Sequence, residues 1–135
     1  MGLSNGSVMP TIAVDDLDRA MRFYGEKLGL SVRRLGDDPN SALVELGDSG
    51  RILLYRSTYK RGETTYASFM VDDLEGCVRE LRDKGVQFEE YDLPGLKTEN
   101  GIATSGDLKT SWFKDSEGNT LAISNEPAEV MRKAA

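Results

Sequence analysis

Acidic side chains occur as adjacent pairs at two places in the sequence, Asp15 with Asp16 and Asp72 with Asp73. Neighbouring carboxylates can serve general acid–base catalysis, because one group can hold a proton while the other stays ionised. A stretch typical of an amphipathic helix follows each pair, however, and an aspartate before a helix accepts hydrogen bonds from its first N–H groups. We therefore interpret both pairs as helix caps.

Cys77 is a second candidate for chemistry, as a nucleophile. A thiol becomes reactive when a histidine or another cation lowers its pKa, and the sequence contains no histidine. Cys77 also falls in the apolar stripe of its predicted helix, at the place of Ala20 in the first helix. The sequence predicts a structural role for Cys77, and a single cysteine excludes an intramolecular disulfide.

Composition is typical of a soluble globular protein. Of the 135 residues, 39% are hydrophobic and 30% are charged, with a net charge of -6, and the apolar runs are too short to cross a membrane. The start of the sequence lacks the basic and apolar segments of a secretory signal, so we expect a cytoplasmic protein. The negative charge disfavours nucleic acid as a partner and mildly favours a cationic ligand.

The two acidic pairs belong to an internal repeat formed by Val14–Leu30 and Val71–Val86. In both copies apolar residues recur three and four positions apart, which is the spacing of one buried helix face. These residues are Leu17, Ala20, Met21, Tyr24 and Leu28 in the first copy, and Leu74, Cys77, Val78 and Leu81 in the second. Each copy therefore predicts an amphipathic helix.

Strand-like segments flank both predicted helices. They are VMPTIAV, LSVRRL, SALVELG and RILLYRS in the first copy, and TYASFMV, VQFEEY, TSWFKD and TLAISN in the second. Each copy thus predicts the order βαβββ. The segment Leu93–Thr110 interrupts the second copy, and its length favours a functional loop, either a lid or a dimer contact. Within it, Ile102–Thr104 is a candidate short strand.

Two motifs link this repeat to a known family: V-x-D-L-x-x-A-x-x-F-Y-x-x-x-L-G-L from Val14, and W-F-x-D-x-E-G-N-x-L from Trp112. The chain resembles the glyoxalase/bleomycin resistance protein/dioxygenase superfamily, also called the vicinal oxygen chelate (VOC) superfamily. The resemblance implies an α+β fold in which two tandem βαβββ modules form a cupped, mostly antiparallel mixed sheet around a cleft. The modules would be residues 8–58 and 64–126 of one domain, between a disordered tail at 1–7 and a C-terminal tail at 127–135.

The chemistry of the resembled family rests on a divalent metal held in the cleft by His or Glu side chains. The resemblance carries the four ligand positions to Met9, Leu54, Tyr66 and Ala122. None of these residues offers an imidazole or a carboxylate to a metal. We therefore expect neither a metal nor another cofactor.

The residues predicted to bind a ligand are apolar, aromatic or hydroxyl-bearing, as in small-molecule pockets. They are Met9, Thr11, Leu54, Tyr55, Tyr66, Ser68, Trp112 and Ala122. Strand alternation directs Leu54 into the cleft and Ile12 toward a helix. For Tyr66 and Trp112 an ordinary core position is an alternative.

Two classes of function remain for such a chain. The first is a metal-free small-molecule-binding protein, expected to be a homodimer, that sequesters an antibiotic or a metabolite of aromatic or cationic character. The second is an enzyme of the same fold, lyase, isomerase or dioxygenase-like, acting on a small organic substrate, with Glu45 or Tyr66 as its acid–base group. A carboxylate beside Tyr66 in a closed cavity would favour the enzyme, and a cavity of apolar and hydroxyl groups would favour binding.

Overall fold

The computed structural model describes Ser4 and residues 9–57 and 64–125. Apart from Ser4, the predicted tails at 1–7 and 127–135 lie outside the described residues. The chain divides into two compact units, Met1–Gly62 and Glu63–Ala135. Each unit contains one copy of the sequence repeat.

The described residues of the first unit form four strands and one helix. Strand β1 is Thr11–Val14, and helix α1 is Leu17–Arg22, which continues as a π-helical turn at Phe23–Lys27. Strands β2, β3 and β4 are Ser31–Arg34, Ser41–Leu46 and Gly50–Arg56. The sheet order is β1-β4-β3-β2, in which β1 is parallel to β4 and the other pairs are antiparallel. The predicted βαβββ order is confirmed in this unit.

One face of the first sheet is buried beside α1, which contacts β3 and β4. The strand residues on this face are aliphatic and almost wholly buried, as a period of two in the strands requires. They are Ile12, Val14, Ala42, Val44, Ile52 and Leu54. The helix side contributes Leu17, Ala20 and Tyr24, so the predicted apolar stripe closes this core.

In the second unit, residues 64–125 form six strands and one helix. They are β5 (Thr65–Met70), α2 (Leu74–Asp83), β6 (Asp92–Leu93), β7 (Leu96–Glu99), β8 (Ile102–Ser105), β9 (Leu108–Lys114) and β10 (Thr120–Ser124). The sheet order is β5-β10-β9-β8-β7-β6, with β5 parallel to β10 and the other pairs antiparallel. Helix α2 contacts β9 and buries Leu74, Val78 and Leu81.

Two expectations for the second copy are wrong. The segment VQFEEY is not a strand, because its β-pairing among the described residues is a single bridge between Phe88 and Phe113. The segment Leu93–Thr110 is not an irregular loop, because β7, β8 and the ends of β6 and β9 lie within it as a meander. Gly95, Gly101 and other turn glycines of the meander have positive φ, which glycine adopts without strain.

The second aspartate of each acidic pair caps its helix, as the sequence predicts. Asp16 accepts a hydrogen bond from the backbone N–H of Arg19 at 3.0 Å. Asp73 accepts one from the backbone N–H of Gly76, also at 3.0 Å. The second aspartate of each pair is therefore explained by satisfaction of a free N–H group in the first turn of a helix.

The α+β fold class is confirmed, since each unit combines one helix with a mixed, mostly antiparallel sheet. Among the described residues, no helix has the length and apolar character needed to cross a membrane.

Candidate functional site

The face of the first sheet opposite α1 carries most of the polar strand residues, and we call it the first site face. Residues aligned across neighbouring strands share a face and have side chains in contact distance of one another. One row across all four strands consists of Thr11, Leu53, Leu43 and Arg33. Two shorter rows consist of Ala13, Tyr55 and Ser41, and of Arg51, Glu45 and Ser31.

Leu54 lies on the helix side of the first sheet, contrary to the prediction. It is aligned with Ile12 in β1 and has no exposed surface, so the expectation that these two residues occupy opposite faces is wrong. Leu53 takes the place on the site face that was expected of Leu54. The physical reason is that the two hairpins differ. Gly50 already belongs to β4, whereas its sequence counterpart Gly118 lies in the turn before β10. Residues equivalent in sequence therefore need not lie on the same face of the two sheets.

The corresponding face of the second sheet, opposite α2, is the second site face. Ser68, Ala122 and Trp112 are aligned there across β5, β10 and β9. Tyr66 lies at an irregularity, where the pairing of β5 with β10 shifts in register. The structure therefore brings three predicted ligand residues side by side within one unit.

The predicted residues differ in their access to solvent. Met9 is 39% exposed just before β1, and Thr11 and Ser68 are exposed on their strands. Tyr55, Tyr66 and Trp112 are half-buried, whereas Ala122 is buried. The half-buried aromatic residues can present one side of a ring to a ligand while the other side stays packed.

A pocket of about 190 Å³ opens beside Trp112. Strands β7, β8 and β9 supply its apolar lining through Leu96, Ala103 and Leu108. Tyr91 packs edge-to-face against Trp112, with ring centroids 5.5 Å apart and an interplanar angle of 84°. Since an apolar cavity of about 150 Å³ takes up benzene, this pocket has room for one aromatic ring.

The pocket lining was largely missed because it comes from the segment that was expected to be a loop. The available signal was alternation within the strands. Leu96 is two residues from Thr98 in β7, and Leu108 is two residues from Thr110 in β9, so each pair lies on one face of its strand. The strands are only two to seven residues long, so period-two alternation is hard to recognise in them.

Charged residues on the first site face form one cluster, Arg33–Glu45–Arg51. The Nε of Arg33 donates to Oε1 of Glu45 at 3.0 Å, and the Nε of Arg51 lies 3.3 Å from Oε2 of the same carboxylate. Arg51 Nη1 also donates to the carbonyl of Gly50 at 2.7 Å. Glu45, predicted as an acid–base candidate, is thus held between two guanidinium groups.

Two polar pockets lie near the starts of the helices. One, of about 370 Å³, contains the ion pair of Lys109 Nζ with Glu75 Oε2 at 2.8 Å, and Lys109 lowers the pKa of Glu75. The other, of about 340 Å³, contains the ion pair of Arg34 with Asp18. The charges lining the first pocket balance, with Glu75 and Glu99 against Lys97 and Lys109. The second pocket has three aspartates against Arg34 and Arg56.

Cys77 remains a structural residue. It is half-buried on α2, and burial, followed by the nearby carboxylates of Glu80 and Asp73, raises the pKa of its thiol. A raised pKa favours the neutral thiol over the nucleophilic thiolate.

The four positions that correspond to the family metal site hold no suitable donor. The expected positions hold Met9, Tyr66 and Ala122, with Leu53 in the place expected of Leu54. Divalent ions of this kind take imidazole, carboxylate or thiolate donors. Within residues 9–57 and 64–125, moreover, no group of three or more His, Cys, Asp or Glu side chains is arranged to hold a metal ion. The residues present do not fit the metal.

Comparison with known proteins assigns the family. The sequence profile of the Glyoxalase/Bleomycin resistance protein/Dioxygenase superfamily matches residues 6–123. The chain therefore belongs to this superfamily, as its two motifs and internal repeat indicated.

Individual relatives are distant in sequence. A protein of Vibrio parahaemolyticus named "Probable lactoylglutathione lyase" is 24% identical, over 90% of this chain and 91% of its own length. A solved member of the superfamily from Sphaerobacter thermophilus has a TM-score of 0.68 at 24% identity, covering 92% of this chain and 100% of that one. An integron cassette protein from the mobile metagenome of Halifax Harbour Sewage Outfall has a TM-score of 0.66 at 17% identity, covering 90% and 98%. These structures support the fold.

Proposed function

We propose that this chain is a metal-free small-molecule-binding protein of the glyoxalase/bleomycin resistance type, which sequesters an antibiotic or a metabolite. The observation that carries the proposal is the apolar pocket beside Trp112. A ring-sized group of the ligand would enter this pocket and stack on the indole, which Tyr91 holds in place. Superfamily membership agrees with this proposal, because members bind small organic ligands.

The chemistry of the pocket favours binding over turnover. Its lining combines apolar side chains and hydroxyl groups with the single lysine Lys97. General acid–base catalysis requires a group that can exchange a proton near neutral pH, and the described lining residues include no carboxylate, imidazole or thiol. The expected donor positions for a catalytic metal are likewise occupied by Met9, Leu53, Tyr66 and Ala122.

The alternative is an enzyme, and the name of the Vibrio relative favours a lactoylglutathione lyase. The discriminating assay follows S-lactoylglutathione with purified protein, first after chelation and then with Zn²⁺, Ni²⁺ or Mn²⁺ added. We expect no turnover under any of these conditions, because the donor set is absent. Metal-dependent turnover would overturn the binding proposal.

The direct test is a ligand screen by saturation-transfer NMR with aromatic antibiotics and metabolites. Replacement of Trp112 by Ala should weaken binding of ring-containing hits by about tenfold, since stacking and pocket contacts together are worth ~1.4 kcal/mol. Trp112→Phe is the matched control, because it keeps an aromatic wall and should stay within a few-fold of the parent. Circular dichroism verifies that both variants are folded. Hits that bind Trp112→Ala as well as the parent would contradict the proposal.

We also propose that the protein is a homodimer. Strands β2 and β6 end their sheets, and such end strands carry backbone groups that another chain can pair with. Light scattering should give twice the chain mass of 14.9 kDa. A single-chain mass at every concentration would contradict dimerisation.

A further inference from the structure

The charge of the first site face differs in sign from the charge of the whole chain. The chain carries a net charge of -6, which favoured a cationic ligand. Among the strand residues of the first site face, however, the charged side chains are Arg33, Glu45 and Arg51. Two guanidinium groups and one carboxylate give this face an excess positive charge.

Glu45 uses only part of the hydrogen-bonding capacity of the two arginines. A guanidinium carries five N–H donors, and Glu45 is approached by the Nε of each arginine at 3.0 and 3.3 Å. In the described part of the chain, neither Nη of Arg33 makes a hydrogen bond. The side chains of Arg33 and Arg51 are 58% and 35% exposed, so a molecule from solution can reach them.

An apolar strip runs directly beside these donors. Arg33 is aligned with Leu43, Leu43 with Leu53, and Leu53 with Thr11. With neighbouring strands about 4.8 Å apart, this row of four side chains spans about 14 Å. Leu53 is half-buried and Leu43 is only 8% exposed, so the row offers cationic donors at one end, aliphatic surface mainly from Leu53 in the middle and a hydroxyl at the other end.

We propose that the first site face binds the carboxylate of an amphipathic organic acid through Arg33 and Arg51, with the apolar body of the acid along Leu53. The inference rests on the proposed small-molecule binding and names its ligand class. A carboxylate suits the cluster because its two oxygens accept paired N–H donors of a guanidinium in one plane. The single excess positive charge also matches a monoanion better than a phosphate dianion.

Glu45 acts in this arrangement as an internal competitor. Its carboxylate orients both guanidinium groups and also offsets half of their charge. An incoming carboxylate must share the arginines with Glu45, which keeps the site open to exchange. Removal of the negative charge at this position should therefore increase the affinity for an acid, whereas removal of either arginine should decrease it.

The test uses three probes that share one phenylpropyl frame: 3-phenylpropanoate, the neutral 3-phenylpropanamide and the cationic 3-phenylpropylamine. Isothermal titration calorimetry measures each against the full chain. We expect the carboxylate to bind about tenfold more tightly than the amide, since charge-assisted hydrogen bonds are about twice as strong as neutral ones. The amine should bind more weakly than the amide.

The test also uses variants that are expected to change carboxylate binding in opposite directions, because loss of folding would weaken binding in all of them. Arg33→Gln and Arg51→Gln should each reduce the preference for carboxylate over amide several-fold, and Glu45→Gln should strengthen carboxylate binding. Arg34→Gln is the matched control, because Arg34 neighbours Arg33 in β2 but is aligned with Ala42 on the helix side and pairs with Asp18. It should leave the preference unchanged.

The outcomes separate this inference from the proposed function. Equal binding of the three probes, or a carboxylate preference that survives both arginine substitutions, overturns the inference and leaves small-molecule binding in place. Failure of the carboxylate to bind at millimolar concentration also overturns it, and the Trp112→Ala comparison then decides the proposed function separately. Probe binding that responds to Trp112→Ala but to neither arginine places the ligand in the aromatic pocket instead.

Discussion

In both units a helix capped by an aspartate lies on a sheet face made of buried aliphatic and aromatic side chains. On the opposite face the units have little in common. The first carries the cluster Arg33–Glu45–Arg51 beside an aliphatic strip, and the second carries Trp112 over an apolar pocket. The helix side is maintained by a packing requirement that any copy must meet, since apolar burial is the main stabilising term of a small unit. The site faces meet that requirement only in part, since Leu43 and Ala122 are buried but Arg33 and Trp112 are accessible. The two copies can therefore take different chemical roles there.

Substitution of two neighbouring leucines in β4 is expected to give the largest difference in stability. Leu54→Ala should lower the free energy of unfolding by about 2 to 5 kcal/mol, because it removes a fully buried side chain from the helix side. Leu53→Ala, its matched control on the site face, removes a half-buried side chain and should cost about 1 kcal/mol. Urea unfolding measures both. Equal losses, or a larger loss for Leu53→Ala, would show that the assignment of the two faces is wrong.

The next largest effect on stability is expected from substitutions in the hairpin turns of the two sheets. Asp115 is buried, and its carboxylate accepts from the backbone N–H groups of Glu117 and Asn119 at 2.8 and 2.9 Å and from Asn119 Nδ2 at 3.0 Å. Asp115→Ala leaves these buried donors without that acceptor, so we expect a loss of about 2 to 4 kcal/mol.

Asp48, in the turn between β3 and β4, is the matched control because it is exposed. Asp48→Ala should change the free energy of unfolding by less than about 0.5 kcal/mol. Thermal unfolding of both variants measures the difference between the turns. Similar values would mean that the buried carboxylate has no special role in holding β9, and with it Trp112, against β10.

A smaller, pH-dependent effect is expected in the meander of the second unit. Glu90 accepts from Thr98 Oγ1 at 2.5 Å and from the backbone N–H of Gly101 at 2.9 Å, and these two bonds hold the pKa of Glu90 below its ordinary value of 4.5. A lowered pKa in the folded chain means that the contribution of the ionised group is complete above pH 4.5 and is lost as the pH falls through the lower, folded value.

The Gly101 amide shift in an NMR titration should report this step, with a midpoint below 4.5. Glu90→Gln cannot ionise and should abolish the step while it keeps an acceptor for the Gly101 amide. A midpoint at or above the ordinary value would contradict the inferred hydrogen bonds. Persistence of the step in Glu90→Gln would assign it to another group.

Local features of the fold were predictable from the sequence. The two helices follow from residue spacing, and the N-caps Asp16 and Asp73 from residue type, because both depend on neighbours within one or two turns. The four strands of the first unit were likewise predictable. The strands β6 and β7 were not, since each has four residues or fewer and the glycines of their turns resemble those of a loop. The expected short strand Ile102–Thr104 corresponds to β8.

The candidate site was less predictable because it depends on register between strands. Trp112 was identified from its type and motif, but its pocket partner Leu96 lies in a strand that was not recognised, and Leu108 lies two residues before the predicted start of β9. The same limit explains why Leu53 lies on the site face where Leu54 was expected, since a shift of one residue moves a side chain to the other face. Arg33, Glu45 and Arg51 meet through the pairing of β2, β3 and β4, which no local pattern encodes.

The π-helical turn at Phe23–Lys27 has a consequence for how the two copies diverged in length. Each copy can be measured from the first residue of its helix to the glycine that follows the helix. This interval is Leu17–Gly29 in the first copy and Leu74–Gly85 in the second, so the first is one residue longer. A π-helical turn accommodates one extra residue without displacing the turns before and after it, and here the backbone N–H of Leu28 bonds to the carbonyl of Phe23. The turn thus marks an insertion or a deletion that the fold absorbed after duplication. Deletion of one residue should accordingly be tolerated better in this turn than elsewhere in helix α1.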